Sequence, residues 1–156
     1  NYSLDCQKFN STSEHTTWEK CSLRTWLNET FLKDAFSEEE QGLIETSFVS
    51  ADKNPAYNTN PGNDTNDKVF LLSISEAEKI EKLITLRKCE TTAYVKEKGV
   101  PASDANTKET HWWLRSPGVA GTYSSYITLR GNISYWGSNV INVYQAVRPV
   151  IRVSIG

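Results

Sequence analysis

Hydrophobic positions in the first half of the chain follow the spacing of amphipathic helices. Within residues 17–33, four large apolar side chains recur at helical spacing: Leu23, Trp26, Leu27 and Phe31. This period places them on one face and predicts a helix that packs on the core. Thr16-x-x-Glu19 has the form of a capping box at the start of this helix.

Two further capping boxes indicate helices later in this half. Ser37-x-x-Glu40 opens a short helix that carries Leu43 and Ile44. Ser75-x-x-Glu78 opens a third helix, which is predicted to run to about residue 86. Its inner face would carry three apolar residues: Ala77, Ile80 and Leu83.

Strands and loops separate these helices. Residues 46–49 and 69–72 are predicted as strands, the second as a buried apolar one. Residues 51–68 are rich in Pro, Gly, Asn and Asp and predict a long polar loop, and residues 96–110 predict another. The first loop offers oxygen ligands of the kind calcium prefers but does not match the EF-hand pattern, so a calcium site and side-chain-capped turns are both open.

From Trp112 onward the pattern changes to that of strands. Residues 126–129 and 133–136 flank a Gly-Asn pair, which predicts a hairpin. Residues 147–155 are rich in Val and Ile and predict a closing strand, where Pro149 favours an edge, a strand start or a bulge. Helices early and an antiparallel sheet late define the α+β class, and 156 residues suit a single domain, residues 1–156.

Residues 111–118 (HWWLRSPG) form a conspicuous block. Adjacent tryptophans in an extended segment point to opposite faces, so one is expected in the core and the other at a surface or in a second layer. Arg115 has two interpretations, an anion ligand or a group that fixes the following turn by hydrogen-bonding carbonyls. His111 has no acid or nucleophile near it in the sequence, so it is not expected to be catalytic.

Charge is distributed unevenly along the chain, although the net charge is only −2. No Asp, Glu or Lys follows Glu109, and the basic residues beyond it are four arginines: Arg115, Arg130, Arg148 and Arg152. They are too few for the basic stripe of a nucleic-acid-binding protein. No apolar run is long enough to span a bilayer, so neither nucleic acid nor direct membrane insertion is expected.

Candidate catalytic and metal-binding chemistry is sparse. The chain has neither a Gly-rich phosphate loop nor an H-E-x-x-H motif, and the late strands lack a carboxylate for acid–base work. Three cysteines, Cys6, Cys21 and Cys89, lack zinc spacing, which leaves a Cys6–Cys21 disulfide and three free thiols as alternatives. The sequence therefore predicts a non-enzymatic protein without a metal or cofactor.

Residues 119–146 have an unusual composition. They contain four Tyr, one Trp, four Ser, three Asn and three Gly, but only one charged residue, Arg130. Antibody paratopes use the same residue types, because aromatic rings give large contact area at low entropy cost and the small polar residues adapt their hydrogen bonds. A binding face is the favoured interpretation, with a plain hairpin that has a polar outer face as the alternative.

Six blocks along nearly the whole chain resemble a bacterial domain family of uncharacterised function, common in surface and secreted proteins: residues 17–28, 35–41, 62–65, 68–73, 113–118 (WLRSPG) and 147–149 (VRP). In fold that family resembles the C-type lectin-like superfamily, in the branch with formylglycine-generating enzymes and the variable proteins of diversity-generating retroelements. No cysteine follows Cys89, so the enzymatic activity of that branch is not expected, and the sugar-binding calcium motifs of C-type lectins are absent.

The resemblance implies a rigid frame and an exposed ligand-binding face. The frame would include Trp113, Arg115, Gly118, Arg148 and Pro149. The candidate contacts lie between the two ends of the frame: Thr122, Tyr123, Ser124, Tyr126, Tyr135, Trp136, Ser138, Asn139, Ile141, Asn142 and Tyr144. The implied function is a hypervariable display module on the bacterial surface or outside the cell that binds a protein or other macromolecule. A carbohydrate-binding adhesin module and a purely structural domain are the alternatives.

Overall fold

Helical segments come first along the chain and a mostly antiparallel sheet comes last, as expected for the α+β class. The structure, a computed structural model, describes residues 2–80, 87–97 and 109–154. The α-helices are α1 Ser22–Trp26, α2 Leu32–Ala35, α3 Glu38–Leu43, α4 Ile74–Lys79 and α5 Ala93–Glu97. A 3₁₀ turn, Trp18–Lys20, precedes α1, and a π-helical stretch, Leu27–Phe31, joins α1 to α2. No helix in these ranges is long and apolar enough to cross a membrane.

Within the described residues, nine strands form one large sheet and two small ones. They are β1 Asp5–Cys6, β2 Ser47–Val49, β3 Thr65–Asp67, β4 Cys89–Glu90, β5 Glu109–Thr110, β6 Trp112–Pro117, β7 Tyr123–Ile127, β8 Ile133–Asn139 and β9 Ala146–Val147. The large sheet has the order β1-β9-β6-β7-β8, and only the β6–β9 pair is parallel. The remaining pairs, β2–β3 and β4–β5, are antiparallel.

Strand β6 lies at the centre of the fold, and all six of its residues are buried. Trp113 packs in one hydrophobic cluster with the helical residues between 18 and 35, which we call the first helical segment. Trp112 packs in a second cluster with α4. Each indole N–H has a partner, since Trp113 donates to the Gln7 carbonyl (2.9 Å) and Trp112 to the Arg87 carbonyl (2.8 Å). The expectation of opposite faces is confirmed, and the outer tryptophan lies in a second core layer.

The predicted single helix over residues 17–33 is wrong, because the segment is interrupted twice. Thr16 does not cap it, and the Thr17 side chain makes no capping hydrogen bond either. Asn28 accounts for the π-helical stretch: its Nδ2 donates to the Arg24 carbonyl (3.1 Å) and to the Val69 carbonyl (2.8 Å). Its Oδ1 accepts the Val69 N–H (3.1 Å). This tie to a distant segment competes for the hydrogen bonds of a regular helix.

The predicted helical face is only partly correct. Leu23 and Leu27 are fully buried, whereas Trp26 and Phe31 are half-buried and pack against the edge of the core. Their rings form a tilted pair with centroids 5.5 Å apart. A π-helical stretch needs more residues per turn than an α-helix, so it rotates later side chains away from the expected face.

The two remaining capping boxes differ in outcome. Ser37 and Glu40 form the predicted box at α3. At α4 the box is formed by Ser73 and Glu76, two residues before the predicted pair Ser75 and Glu78. Ala77 is buried as expected. Leu83 and the predicted end near residue 86 lie outside the described residues.

Both predicted loops contain strand residues. β3 ends the first loop early and pairs with β2, which confirms the strand predicted at 46–49. Asp67 in β3 is buried and bonded to Arg24 Nε (2.7 Å), the Trp18 indole (3.0 Å) and the Thr65 hydroxyl (2.7 Å). In the second loop, α5 reaches Glu97 and β5 begins at Glu109, while residues 98–108 lie outside the described ranges.

The apolar runs at 69–72 and 147–155 are not the strands predicted from their sequences. The first is largely buried but joins the second through one isolated bridge, Phe70–Val150. Of residues 147–155, only Val147 belongs to the large sheet, as the last residue of β9. Pro149 has no N–H to donate, which ends the ladder after Val147. The hairpin predicted around the Gly-Asn pair is confirmed, with Ile127 opposite Ile133.

Candidate functional site

A bulge in β8 exposes Trp136. Three residues of β8 lie opposite a single residue of β7, between two flanking pairs: Ser124–Ser138 and Tyr126–Ser134. Gly137 lies in the bulge with a φ of 86°, a conformation that glycine adopts without strain. Added there, a Cβ would lie 2.6 Å from the Ser124 carbonyl oxygen. The bulge leaves the Trp136 side chain 58% exposed.

Asn54 holds the loop of residues 51–60 against this bulge. The residue is only 3% exposed, and its Nδ2 donates to the carbonyl oxygens of Pro117 (2.8 Å) and Tyr135 (2.7 Å). Its Oδ1 accepts the N–H of Ala56 at 2.9 Å. A buried amide that is satisfied on both sides fixes the loop because breaking any of these bonds would leave a buried polar group unpaired.

The anchored loop places Tyr57 beside Trp136. Their ring centroids lie 5.9 Å apart with an interplanar angle of 87°, an edge-to-face pair. Thr59 adds a bond from its hydroxyl to the Gly118 carbonyl oxygen (2.8 Å). Two chain segments far apart in sequence therefore meet at an aromatic pair made of the exposed Trp136 and the half-buried Tyr57.

Residues after β8 are held by asparagine-capped turns. Asn139 Oδ1 accepts the N–H of Ile141 (3.1 Å), and Asn142 Oδ1 accepts the N–H of Tyr144 (2.8 Å). Ile141 and Tyr144 are 38% and 54% exposed, and Val143 between them is 47% exposed. We call residues 136–144 the display segment, because its polar side chains fix the backbone while its apolar ones meet solvent.

The predicted contact residues differ widely in exposure. Trp136, Ile141 and Tyr144 are exposed. Half-buried are Thr122, Tyr123, Tyr126, Tyr135, Ser138, Asn139 and Asn142. Ser124 is buried at 1%, and its hydroxyl donates to the Leu114 carbonyl (2.9 Å). Its prediction as a surface contact is therefore wrong. Ser124 faces inward from β7, and its hydrogen bond stabilises the sheet.

Three of the half-buried residues are engaged within the fold. The Tyr135 hydroxyl donates to Glu78 Oε1 (2.7 Å) and its ring packs against the second core cluster. Tyr126 lies edge-on to His111, with centroids 5.4 Å apart. Asn142 Nδ2 donates to the Ser138 hydroxyl oxygen (2.8 Å), so its amide braces the segment. Val143 is an exposed apolar residue that the sequence analysis missed.

A cleft of about 600 Å³ opens on the other side of Tyr57. Its walls come from the start of the first helical segment, the anchored loop and the turn before β7: His15, Thr16, Thr17, Lys20, Tyr57, Asn58, Thr59, Asn60, Val119, Ala120 and Gly121. This volume suits a small ligand or one side chain of a larger one. We call it the Tyr57 cleft. No sequence motif marks it, because its walls come from three separate segments.

The Arg115 side chain fixes the frame beneath these surfaces. It is 4% exposed, forms an ion pair with Glu76 and donates to the Leu71 carbonyl (2.8 Å). Burial alone raises the pKa of Glu76, but hydrogen bonds from Arg115 and the Ser73 N–H outweigh it and hold the pKa below 4.5. The interpretation of Arg115 as a structural group is the one that these contacts support.

A comparison with protein-family models matches residues 1–155 to a domain of unknown function, DUF6273. The chain belongs to the DUF6273 family. No curated protein matches it. No solved structure matches it either.

Polar residues in the 51–68 loop of this DUF6273 domain cap turns. Asn60 Oδ1 accepts the Gly62 N–H (3.0 Å), and Asp64 Oδ1 accepts the Ala51 N–H (2.7 Å). Within residues 2–80, 87–97 and 109–154, no group of three or more His, Cys, Asp or Glu side chains could hold a metal ion. Asn60 therefore caps a turn, as one of the two interpretations expected, and Asp64 joins two distant parts of the loop.

The remaining titratable candidates of the DUF6273 domain are held inside it. Cys6 and Cys21 are not joined to each other, so the Cys6–Cys21 disulfide is not formed. Burial raises the pKa of the Cys21 thiol to about 12 and that of Cys89 to about 11. Burial also lowers the pKa of His111, whose ring packs against Tyr126.

Proposed function

We propose that this domain is a non-catalytic ligand-binding module that contacts a protein or other macromolecular partner through the display segment. The observation that carries this proposal is the exposure of Trp136, Ile141, Val143 and Tyr144 within nine residues whose backbone is braced. Exposed aromatic side chains on a fixed backbone give binding energy at a small entropy cost. The surrounding sequence lacks the Lys and Glu residues of an ordinary solvated face.

The finer proposal is a C-type lectin-like domain of the kind used as variable proteins by diversity-generating retroelements, displayed outside the cell. The pairing of β1 with β9, which brings the first and last strands together in one sheet, supports that fold. Packing in the predicted frame also supports it, since the half-buried Arg148 lies 5.0 Å from the Trp112 ring centroid and Arg115 is buried beside Glu76. An experimental structure that superposes on that superfamily over the large sheet would establish the fold.

Binding by the display segment is tested with two matched double variants. The labelled domain is applied to bacterial and epithelial cell surfaces and to a glycan array. Trp136→Ala/Tyr144→Ala should lose at least tenfold in affinity for any surface that the parent domain binds, because truncating central aromatic contacts costs about 2 kcal/mol or more. Phe48→Ala/Tyr94→Ala, which removes two aromatic side chains exposed at 64% and 51% elsewhere, should bind as the parent does.

The outcomes also separate the alternative functions. If Trp136→Ala/Tyr144→Ala loses binding only to glycans of the array, a carbohydrate-binding module is favoured. Equal binding by both double variants would show that the display segment is not the binding surface, and no binding to any surface by the parent domain would favour a purely structural domain. Hypervariability has its own test: the source locus should contain a reverse transcriptase gene and a near-copy of the 3′ coding end that differs mainly at adenines. Without that near-copy, only static binding remains.

A further inference from the structure

Several hydrogen-bond donors that line the Tyr57 cleft lack a partner within the protein. The Thr59 hydroxyl already donates to Gly118 (2.8 Å) and the Thr16 hydroxyl to Thr17 (3.4 Å). The carbonyl oxygen of the Asn60 side chain is taken by the Gly62 N–H. Among the described residues, Thr17 Oγ1, Asn60 Nδ2 and Lys20 Nζ have no hydrogen-bond partner, so three donors remain open. Such a site favours a ligand group rich in acceptors, and a carboxylate consists of acceptors only.

The charge that Lys20 brings to the cleft is positive, which also favours an anionic ligand group. Lys20 lines the cleft, and none of its lining residues is an Asp or Glu. Glu19, which neighbours Lys20 in sequence and interacts with it electrostatically, lies outside the lining and is hydrogen-bonded to Asn63, whose Nδ2 lies 3.1 Å from Oε1. The turn on the opposite wall, residues 119–121, belongs to the part of the chain that has no acidic residue. An anionic group would therefore enter without meeting a carboxylate on the wall.

Tyr57 connects this cleft to the display segment. One side of the residue lines the cleft, and its ring contacts Trp136. A ligand that rests an apolar group on Trp136 therefore has its neighbouring group at the mouth of the cleft. A sugar hydroxyl finds acceptors as well as donors here, because the Thr16 and Thr59 oxygens keep their lone pairs, but it would leave the Lys20 charge unpaired. The carboxylate of an acidic peptide side chain pairs with that charge.

We infer that the Tyr57 cleft receives the carboxylate of an Asp or Glu side chain on a protein partner, with Lys20 as its ionic contact and a neighbouring apolar residue of that partner on Trp136. This inference rests on the proposed function and adds the chemistry of the partner. It assigns specificity to residues that lie outside the display segment, in the start of the first helical segment and in the anchored loop.

The inference is tested by NMR titration of the ¹⁵N-labelled domain with capped glutamate (N-acetyl-glutamate methylamide) and capped glutamine. Capped glutamate should shift the amide signals of Lys20, Asn60 and Gly121 with saturation in the millimolar range or above, as expected for one small ligand group. Lys20→Gln should weaken this binding about fivefold, the size of one partly exposed ion pair. Lys33→Gln, which removes an exposed lysine of α2 outside the cleft, should leave it unchanged.

Three outcomes would overturn the inference: no shifts with capped glutamate, equal affinity for capped glutamine, or at least tenfold tighter binding of glucuronate, which would assign the cleft to an acidic sugar. The proposed function fails separately. If capped glutamate binds in the cleft but Trp136→Ala/Tyr144→Ala keeps full affinity for the partner surface, the display segment is the part that is wrong. If that double variant loses binding while capped glutamate causes no shift, only the cleft inference fails.

Discussion

The side-chain amide of Asn54 donates a 2.7 Å hydrogen bond to the backbone oxygen of Tyr135, 81 residues further along the chain. Tyr135 lies in the β8 bulge immediately before Trp136. This bond therefore holds the 51–60 loop close to Trp136, which Tyr57 contacts. Both the display segment and the Tyr57 cleft depend on that loop, because Tyr57 contributes to each of them.

Replacing Asn54 by Ala should destabilise the domain by about 2–4 kcal/mol, because buried carbonyl groups lose their donor. Asn58→Ala in the same loop is the control, since Asn58 is exposed, and it should change the free energy of unfolding by less than about 0.5 kcal/mol. Urea denaturation measures both values. Equal stability of the two variants would mean that Asn54 does not anchor the loop.

Two glycines should respond oppositely to substitution by Ala. Gly137→Ala should cost about 2–4 kcal/mol, because its φ is positive and the new Cβ would lie 2.6 Å from a backbone oxygen. Gly42→Ala in α3 should stabilise the domain by roughly 0.5 kcal/mol, because nothing lies within 4 Å of the added Cβ and Ala is the better helix former. Thermal melts of both variants test the prediction. A stabilised Gly137→Ala variant would contradict the bulge geometry.

Elements that depend on residues close together in sequence were predictable from the sequence. Elements that depend on contacts between distant parts of the chain were not. The Ser37 capping box needs only residues three positions apart and was predicted correctly. The sequence at 73–78 contains two overlapping Ser-x-x-Glu patterns, and the first one forms the cap. Its Glu76 pairs with Arg115, and the Ile74 N–H donates to Ser116 Oγ (2.9 Å), so strand β6 favours this choice.

The candidate site was predictable to a similar extent. Composition drew attention to Trp136, Ile141 and Tyr144, because aromatic and apolar residues without neighbouring charges stand out in a sequence. Alternation alone could not show that Ser124 faces inward, since the β8 bulge changes the register between the two strands. The Tyr57 cleft depends on Asn54 meeting Tyr135, and sequence spacing carries no information on such a contact.

The Arg115–Glu76 pair predicts a pH-dependent contribution to stability. Because the folded-state pKa of Glu76 is held below 4.5, its contribution is present above the unfolded-state pKa and is lost as the pH falls through the folded-state value. Glu76→Gln keeps a side chain that can cap α4 but removes the charge. This variant should be less stable than the parent by about 1–3 kcal/mol at pH 7.

The stability difference between Glu76→Gln and the parent should shrink progressively below about pH 4.5, where the parent residue also becomes neutral. Urea unfolding from pH 7 to pH 3 measures it. The control is Glu29→Gln, which alters an exposed residue of the π-helical stretch and should track the parent within about 0.5 kcal/mol. A difference between Glu76→Gln and the parent that stays constant across this range would show that the charge of Glu76 is not involved.

The interrupted first helical segment predicts an order of truncation costs. Leu27→Ala should cost about 3 kcal/mol, since Leu27 is completely buried in the first core cluster. Phe31→Ala should cost less than Leu27→Ala although it removes a larger side chain, because Phe31 is half-buried at the edge of that cluster. Urea denaturation ranks the two. The reverse order would indicate a continuous helix with Phe31 on its inner face.

The three cysteines should differ sharply in reactivity with N-ethylmaleimide. Cys6 is half-buried, whereas Cys21 and Cys89 are fully buried with thiol pKa values of about 12 and 11. At pH 7.5, both access and the small thiolate fraction protect the two buried thiols, since the thiolate is the reactive form. Mass spectrometry after a short pulse should therefore find the label on Cys6 in the native domain, and on all three cysteines in urea.

A Cys6→Ser variant provides the control for this labelling experiment, because it should remain unlabelled during the same native pulse. Its unfolded form should take up two labels, one on each remaining cysteine. Label on Cys21 or Cys89 at the rate seen for Cys6 would contradict their burial. Absence of label on Cys6 that is reversed by a reductant would instead indicate a disulfide at Cys6 and contradict the thiol form of this residue.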